Sequence, residues 1–255
     1  MSARALVWRG LELVTALLPD RLLRTLLRAW LDRVARREPP TALRLLLDLE
    51  QDVYGRIDTT AIRYDDGIHA KHRLTGYHDF FVERIRPEER VLDVGCGIGA
   101  LAHDIAERTG ATVRGVDING ASIAFARSRF VQPRLEFVEG DARDTLPSDR
   151  FDVVVLSNVL EHIEHRVDFL QGIVDAARPT RLLVRVPMHR RDWLVPLRRE
   201  LGLPHFSDAT HFIEYEPAEL DAELRAVGFE PVELVVVWGE LWATAVAAPA
   251  LPAAP

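Results

Sequence analysis

Between Leu6 and Leu49 apolar residues recur three and four positions apart, most clearly in LLPDRLLRTLLRAWLDRVARR. That period predicts amphipathic helices, punctuated at Pro19, Pro39 and Pro40. From Arg90 onward the pattern changes to short apolar runs separated by helical stretches, the way a parallel sheet covered on both faces reads in sequence. Strands are expected at Val91–Val94, Thr112–Val116, Leu135–Val138, Phe151–Leu156, Arg181–Val186, Pro231–Val237 and Leu241–Val246. Helices are expected at Ala100–Arg108, Ala121–Phe130, Arg166–Ala177 and Pro217–Val227. The alternation predicts right-handed βαβ units in a doubly wound α/β fold. The segment 187–215 breaks this rhythm with Pro196, Pro204, many charges and His189, His205 and His211, and it reads as an insertion. It follows a strand's C-terminal end, where open parallel sheets bind ligands, so it is the natural substrate cap. The expected organisation is an amphipathic helical extension with a covering segment over 1–87, a sheet domain over 88–247 and a disordered tail over 248–255.

A chain of 255 residues with 48% hydrophobic content can bury one enlarged domain. Its formal charge of −7 argues against general nucleic-acid binding, which needs a basic surface to displace counterions. The single cysteine, Cys96, rules out a disulfide framework or thiolate metal cluster and fits a reducing cytoplasm. Lys71 is the only lysine, so the abundance of arginine reads as a general bias, and single arginines carry little weight. No long uncharged apolar run and no cleavable leader are legible, so a soluble, unprocessed chain is expected. The N-terminal helices suit packing on their own domain or on a partner subunit. Trp8, Trp30 and the arginines also suit an anionic membrane surface.

The chemistry concentrates at four successive strand ends. VLDVGCGIG, from Val91 to Gly99, is an apolar strand entering a glycine loop that opens a helix. Gly95 and Gly97 let a ligand approach the backbone, and Gly99 permits close helix–strand packing. This loop alone fits two cofactor classes, because dinucleotide enzymes use the related G-x-G-x-x-G turn. Here the loop is one residue shorter between its last glycines, and Asp93 precedes it. The second expected strand leads to Asp117, placed to accept ribose hydroxyls, with Ile118 after it. The third leads to Asp141 and Ala142, where a carboxylate can accept from an adenine amino group. The fourth leads through Ser157 and Asn158 to Glu161 and His162. Asp117 and Asp141 taken singly also read as helix caps or turn residues.

Taken together, these residues resemble the class I S-adenosylmethionine-dependent methyltransferases over about Arg90 to Val246. The resemblance implies a Rossmann-like seven-stranded sheet with the last strand antiparallel, and S-adenosyl-L-methionine as cofactor. It implies that Asp93, Gly95, Gly97 and Gly99 lie beside the methionine part, with Asp117 on the ribose and Asp141 and Ala142 near adenine. Upstream, HAKHRLTGYHDFF is similar in position to a segment of quinone O-methyltransferases whose arginine meets the cofactor carboxylate, which makes Arg73 the candidate here.

Methyl transfer from a sulfonium needs alignment and, for an acceptor carrying a proton, a base. His162 and His211 are the candidate catalytic residues, with a structural role for Glu161 and His162 left open. Some relatives bind a divalent metal through E-x-x-E-H. The run here is S-x-x-E-H, from Ser157 to His162, and lacks the first carboxylate, so no metal is expected. The expected reaction moves a methyl group to oxygen or nitrogen of a small or lipid-like acceptor. A nicotinamide-dependent oxidoreductase and a catalytically silent cofactor-binding protein are the alternatives.

Overall fold

The computed structural model describes residue 9 and residues 14–142 and 150–249. Trp8 and the tail beyond Pro249 therefore lie outside the described residues. The chain divides into two compact units, one of Met1–Thr60 with Glu200–Leu203 and the other of Ala61–Arg199 with Pro204–Pro255. The first contains α1 (Asp20–Ala35) and most of α2 (Pro39–Tyr64). Both helices start beside prolines, whose fixed φ and missing N–H suit the first helical turn.

The second unit holds two short helices, α3 (Lys71–Thr75) and α4 (Tyr77–Val82), ahead of a seven-stranded sheet. The strands are β1 (Arg90–Val94), β2 (Thr112–Asp117), β3 (Leu135–Glu139), β4 (Val153–Ser157), β5 (Arg181–Pro187), β6 (Phe229–Val237) and β7 (Glu240–Ala247). Their spatial order is β3-β2-β1-β4-β5-β7-β6. Strands β1 to β5 pair in parallel, while β7 runs antiparallel between β5 and β6. The order reverses at β1/β4, and a crevice opens beyond the C-terminal ends there.

Alternate strand residues enter two cores. Leu92, Val154, Leu156, Leu182 and Val184 face one, with α7 (Arg166–Ala177) and α9 (Pro217–Ala226). Val91, Val153, Val155, Leu183 and Trp242 face the other, with α4, α5 (Ala100–Thr109) and α6 (Gly120–Arg129). Burial on both faces explains why these strands appear as unbroken apolar runs. The expected strands lie within one or two residues of the observed ones. Strand β4 starts two residues late, at Val153, because Phe151 and Asp152 give their N–H groups to Ala177 and Arg90 carbonyls outside the ladder, and β6 starts two residues early, at Phe229.

The segment after β5 carries one helix, α8 (Leu194–Glu200), and an isolated parallel bridge between Met188 and Tyr215. Phe212 N–H donates to the Glu161 carbonyl at 2.8 Å, which holds the end of this segment against the turn after β4.

Candidate functional site

At the end of β1, the N–H groups of Gly95 and Cys96 both donate to the Val116 carbonyl, at 2.8 and 3.1 Å. Asp117 then braces the loop: its Oδ2 accepts from Gly97 N–H and its Oδ1 from Asn119 N–H, each at 2.8 Å. The turn-residue role is met, and each carboxylate oxygen keeps a further lone pair. Gly97 has φ +53°, and a Cβ there would meet nothing within 4 Å, so its backbone faces open space. Gly99 is different. A Cβ at that position would lie 2.5 Å from Phe137, so its hydrogen is what lets α5 sit close to β3.

A cavity of about 200 Å³ opens against this loop, lined by Asp93, Gly95, Gly97, Ser157, His72 and Tyr77 among others. A larger cavity of about 530 Å³ lies along α5, between Ala100 and Arg108, and under α3. The smaller one is the candidate site, because it lies at the C-terminal strand ends where an open parallel sheet binds ligands. Asp93 is only 1% exposed, and its Oδ2 has no hydrogen-bond partner within the protein. Burial, helped by the charge of Asp117, pushes its carboxyl up to about 8. Such a group calls for a cationic or donating ligand, since an uncompensated buried acid is costly.

Of the other expected cofactor residues, Ser157 lines this cavity, Arg73 lines the larger one, and Ile118, Asp141, Ala142 and Asn158 line neither. Ile118 follows β2 with 75% exposure, an apolar side chain left uncovered beside the loop. Asp141 is half-buried after β3, and Ala142 is buried in the core. Ser157 accepts from Arg185 Nη1 at 3.3 Å, and Asn158, at φ +56°, donates to Glu161 Oε1 at 2.7 Å. Arg73 lines the larger cavity and donates to Asp65 at 3.1 Å, with more than half of its side chain exposed.

The structure adds groups that patterning did not single out. Asp104 Oδ2 lies 2.6 Å from His78 Nδ1, and His78 Nε2 lies 2.9 Å from His72 Nδ1. Tyr77 Oη is 2.8 Å from the same His72 nitrogen. Burial, with His78 nearby, lowers His72 to about 3 and keeps it neutral. Arg185 is 3% exposed, stacks 3.8 Å from the Tyr77 ring centroid and pairs with Glu240 at 2.5 and 2.6 Å. The signal for these was present only as the polar richness of HAKHRLTGYHDFF. Asp104, Arg185 and Glu240 reach the same place through tertiary contact.

The two candidate catalytic histidines meet beyond β4, their rings edge-to-face with centroids 4.6 Å apart. Thr210 Oγ1 gives its single hydrogen to Asp208 at 2.7 Å, so it accepts from His162 Nδ1 at 2.9 Å. His211 Nδ1 lies 3.3 Å from Glu214 Oε1, a fully buried carboxylate that also receives Ser207 and Arg191. Burial works against ionising Glu214, but the hydrogen bonds from His211 and Ser207 and the Arg191 charge outweigh it and lower its pKa. Both histidines are thereby turned to present Nε2 as an acceptor. Burial, followed by the charge of His211, lowers His162 as well. Beneath them Glu161 is fully buried and raised to about 7 by that burial, with Oε2 unpartnered. Ligand atoms of Glu161, His162 and His211 lie within 4.8 Å of one another, close enough to surround a cation.

Residues 91–180 match the methyltransferase domain family. The chain is 34% identical over 155 residues to a ubiquinone biosynthesis O-methyltransferase of Azorhizobium caulinodans, covering 57% of this chain and 60% of that protein. It is 39% identical over 112 residues to a fatty-acid O-methyltransferase of Mycolicibacterium smegmatis, covering 43% of this chain and 40% of the other. The chain thus spans less than two thirds of either protein. A magnesium protoporphyrin IX methyltransferase structure from Synechocystis shares the fold, with a TM-score of 0.57 and 19% identity over 68% of this chain and 83% of that one. These matches leave the nicotinamide reading without support. With the seven-stranded order, the antiparallel β7 and the braced glycine loop, they show a methyltransferase domain over residues 91–180, set in a Rossmann-like sheet.

Proposed function

We propose that the chain binds S-adenosyl-L-methionine at the glycine loop and transfers its methyl group to an oxygen or nitrogen of a small, lipid-like acceptor. The observation that carries this reading is Asp93, a buried carboxyl with an unpartnered oxygen on the wall of a cavity whose floor is glycine backbone. It suits the ammonium of the cofactor's amino-acid end. Asp117 has lone pairs left for ribose hydroxyls, Ile118 offers an apolar face to the base, and Asp141 with Ala142 can meet the adenine edge. Arg73 stands as the candidate for the carboxylate, through release from Asp65.

The bound cofactor supplies a methyl group that is already activated, so the protein's task is alignment and, where the acceptor is protonated, removal of that proton. His211 is the proposed base. Donation from its Nδ1 to Glu214 leaves Nε2 free to accept, and the buried carboxylate stabilises the imidazolium that forms. His162, aligned by Thr210 and Asp208, is the second candidate.

Two features favour a lipid-like acceptor. Trp193 (71%), Phe212 (54%) and Trp238 (70%) are exposed, on the segment after β5 and on the β6–β7 turn, all toward the C-terminal end of the parallel strands. Relatives named for ubiquinone biosynthesis and fatty-acid O-methylation act in the same chemical range. The test is methyl transfer from radiolabelled S-adenosylmethionine to hydroxylated aromatics bearing alkyl chains, to fatty acids and to polar catechols. Transfer to the first two classes, lost in His211→Ala with S-adenosylhomocysteine affinity unchanged, is the expected result. Binding of S-adenosylhomocysteine without transfer to any acceptor would point instead to a silent protein.

A further inference from the structure

Helix α1 carries one broad apolar face that is covered only at its C-terminal end. Val34 is fully buried, while Leu22 (44%), Leu26 (53%) and Trp30 (41%), which precede it at four-residue spacing on the same line, are exposed. The preceding helical turn adds Leu17, at 83% exposure. From Asp20 to Arg37 the sequence carries six arginines against two aspartates, in a chain whose net charge is −7. Arg21, Arg24 and Arg28 occupy the polar side, all exposed, and Arg33 flanks the exposed leucines.

We infer that α1 is a membrane-surface helix that lies in the headgroup region of an anionic bilayer. The exposed leucines and Trp30 would enter the acyl boundary, and the arginine stems would extend along it with their guanidinium groups among the phosphates. Trp30 suits that depth because its ring is apolar and its N–H can meet a wet acceptor. No described helix is long and apolar enough to cross a membrane, so the contact is in-plane. A second copy of the chain fits this face less well than lipid does. A second copy would bring a second arginine-rich segment to the same place, whereas an anionic surface neutralises the charge of both the face and its flanks. The inference is independent of the acceptor and goes beyond the proposed reaction.

The test is co-sedimentation of the full chain with vesicles of phosphatidylcholine alone and with about one third phosphatidylglycerol, at ~0.1 M and ~0.5 M salt. Light scattering of the free protein reports its oligomeric state. The expected result is partition onto the anionic vesicles only, reduced at least fivefold at the higher salt and at least tenfold in L26E/W30E. R24E/R28E, which leaves the apolar stripe intact, should also lose binding. Unchanged S-adenosylhomocysteine affinity shows that the variants remain folded. Equal binding to neutral vesicles, no binding to either, or binding unaffected by R24E/R28E would overturn the inference. A dimer that L26E/W30E dissociates, with no vesicle binding, would assign the face to a second copy instead.

Discussion

Replacing Asp117 by alanine tests the loop and the ribose contact together. Its carboxylate holds Gly97 N–H and Asn119 N–H at 2.8 Å each, the first partly buried and the second exposed. Hydrogen bonds to a charged group are worth ~1.5–3 kcal/mol when desolvated and less at the surface. The buried contact dominates, so D117A should lower stability by about 1–3 kcal/mol, which for a domain of this size is a drop of roughly 2–10 °C in Tm. Cofactor affinity should fall by a further ~1–3 kcal/mol, about fivefold to 150-fold in Kd, through loss of the ribose acceptor. Asp117→Asn keeps one carbonyl oxygen for Gly97 N–H, so it should recover most of the stability but little of the affinity. Calorimetric titration with S-adenosylhomocysteine and thermal unfolding read the two effects separately. Wild-type affinity in D117A would refute the ribose assignment, and unchanged Tm would refute the brace.

Three further outcomes follow from the same geometry. Asp93, raised to about 8 while the unfolded carboxyl titrates near its ordinary value of about 4, binds a proton in the folded state that the unfolded state has lost across that window. The stability of the ligand-free protein should therefore fall as pH rises from about 4 to 8, and Asp93→Asn should remove part of that slope while weakening cofactor binding. Denaturant titrations at pH 5 and 8 measure it, and an unchanged slope would count against the burial argument. Gly99→Ala should destabilise by about 2–4 kcal/mol, from overpacking on Phe137 and strain at φ +81°. Gly97→Ala, at φ +53° with open space around the Cβ, should cost about 1–2 kcal/mol in strain yet block cofactor approach. Similar Tm values for the two variants would show that the open and packed positions had been misjudged. Finally, His211→Ala should lower methyl transfer by about 10²–10⁴-fold. Glu214→Gln should produce a smaller loss and a shifted pH profile. Equal, pH-independent losses in both would indicate a structural role for the pair.

The sheet was legible because β1, β4 and β5 are buried on both faces, which forces continuous apolar runs with little ambiguity. The polar residues that follow them were equally visible, since Asp117, Asp141 and Ser157 stand where an apolar run stops. Ends were less legible. Phe151 looks like strand but sits outside the ladder, its apolar ring satisfied by core packing rather than by pairing. The N-terminal helices were legible as amphipathic, and which of their apolar residues remain uncovered was not.

The sequence by itself determined the fold class, the glycine loop and the order of acidic strand ends, because each is a local pattern set by backbone geometry and by burial of one strand at a time. Only the tertiary structure decided which side chains act together. Asp104 reaches His78 across 26 positions, Arg185 reaches Glu240 across 55, and Thr210 reaches His162 across 48. Glu214 lies only three residues from His211, yet its pairing there depends on burial and on Arg191. Partnerships of this kind depend on distance and desolvation, which have no period along the chain, and so the glycine loop could be found by reading while the partners of His162 and His211 required the fold.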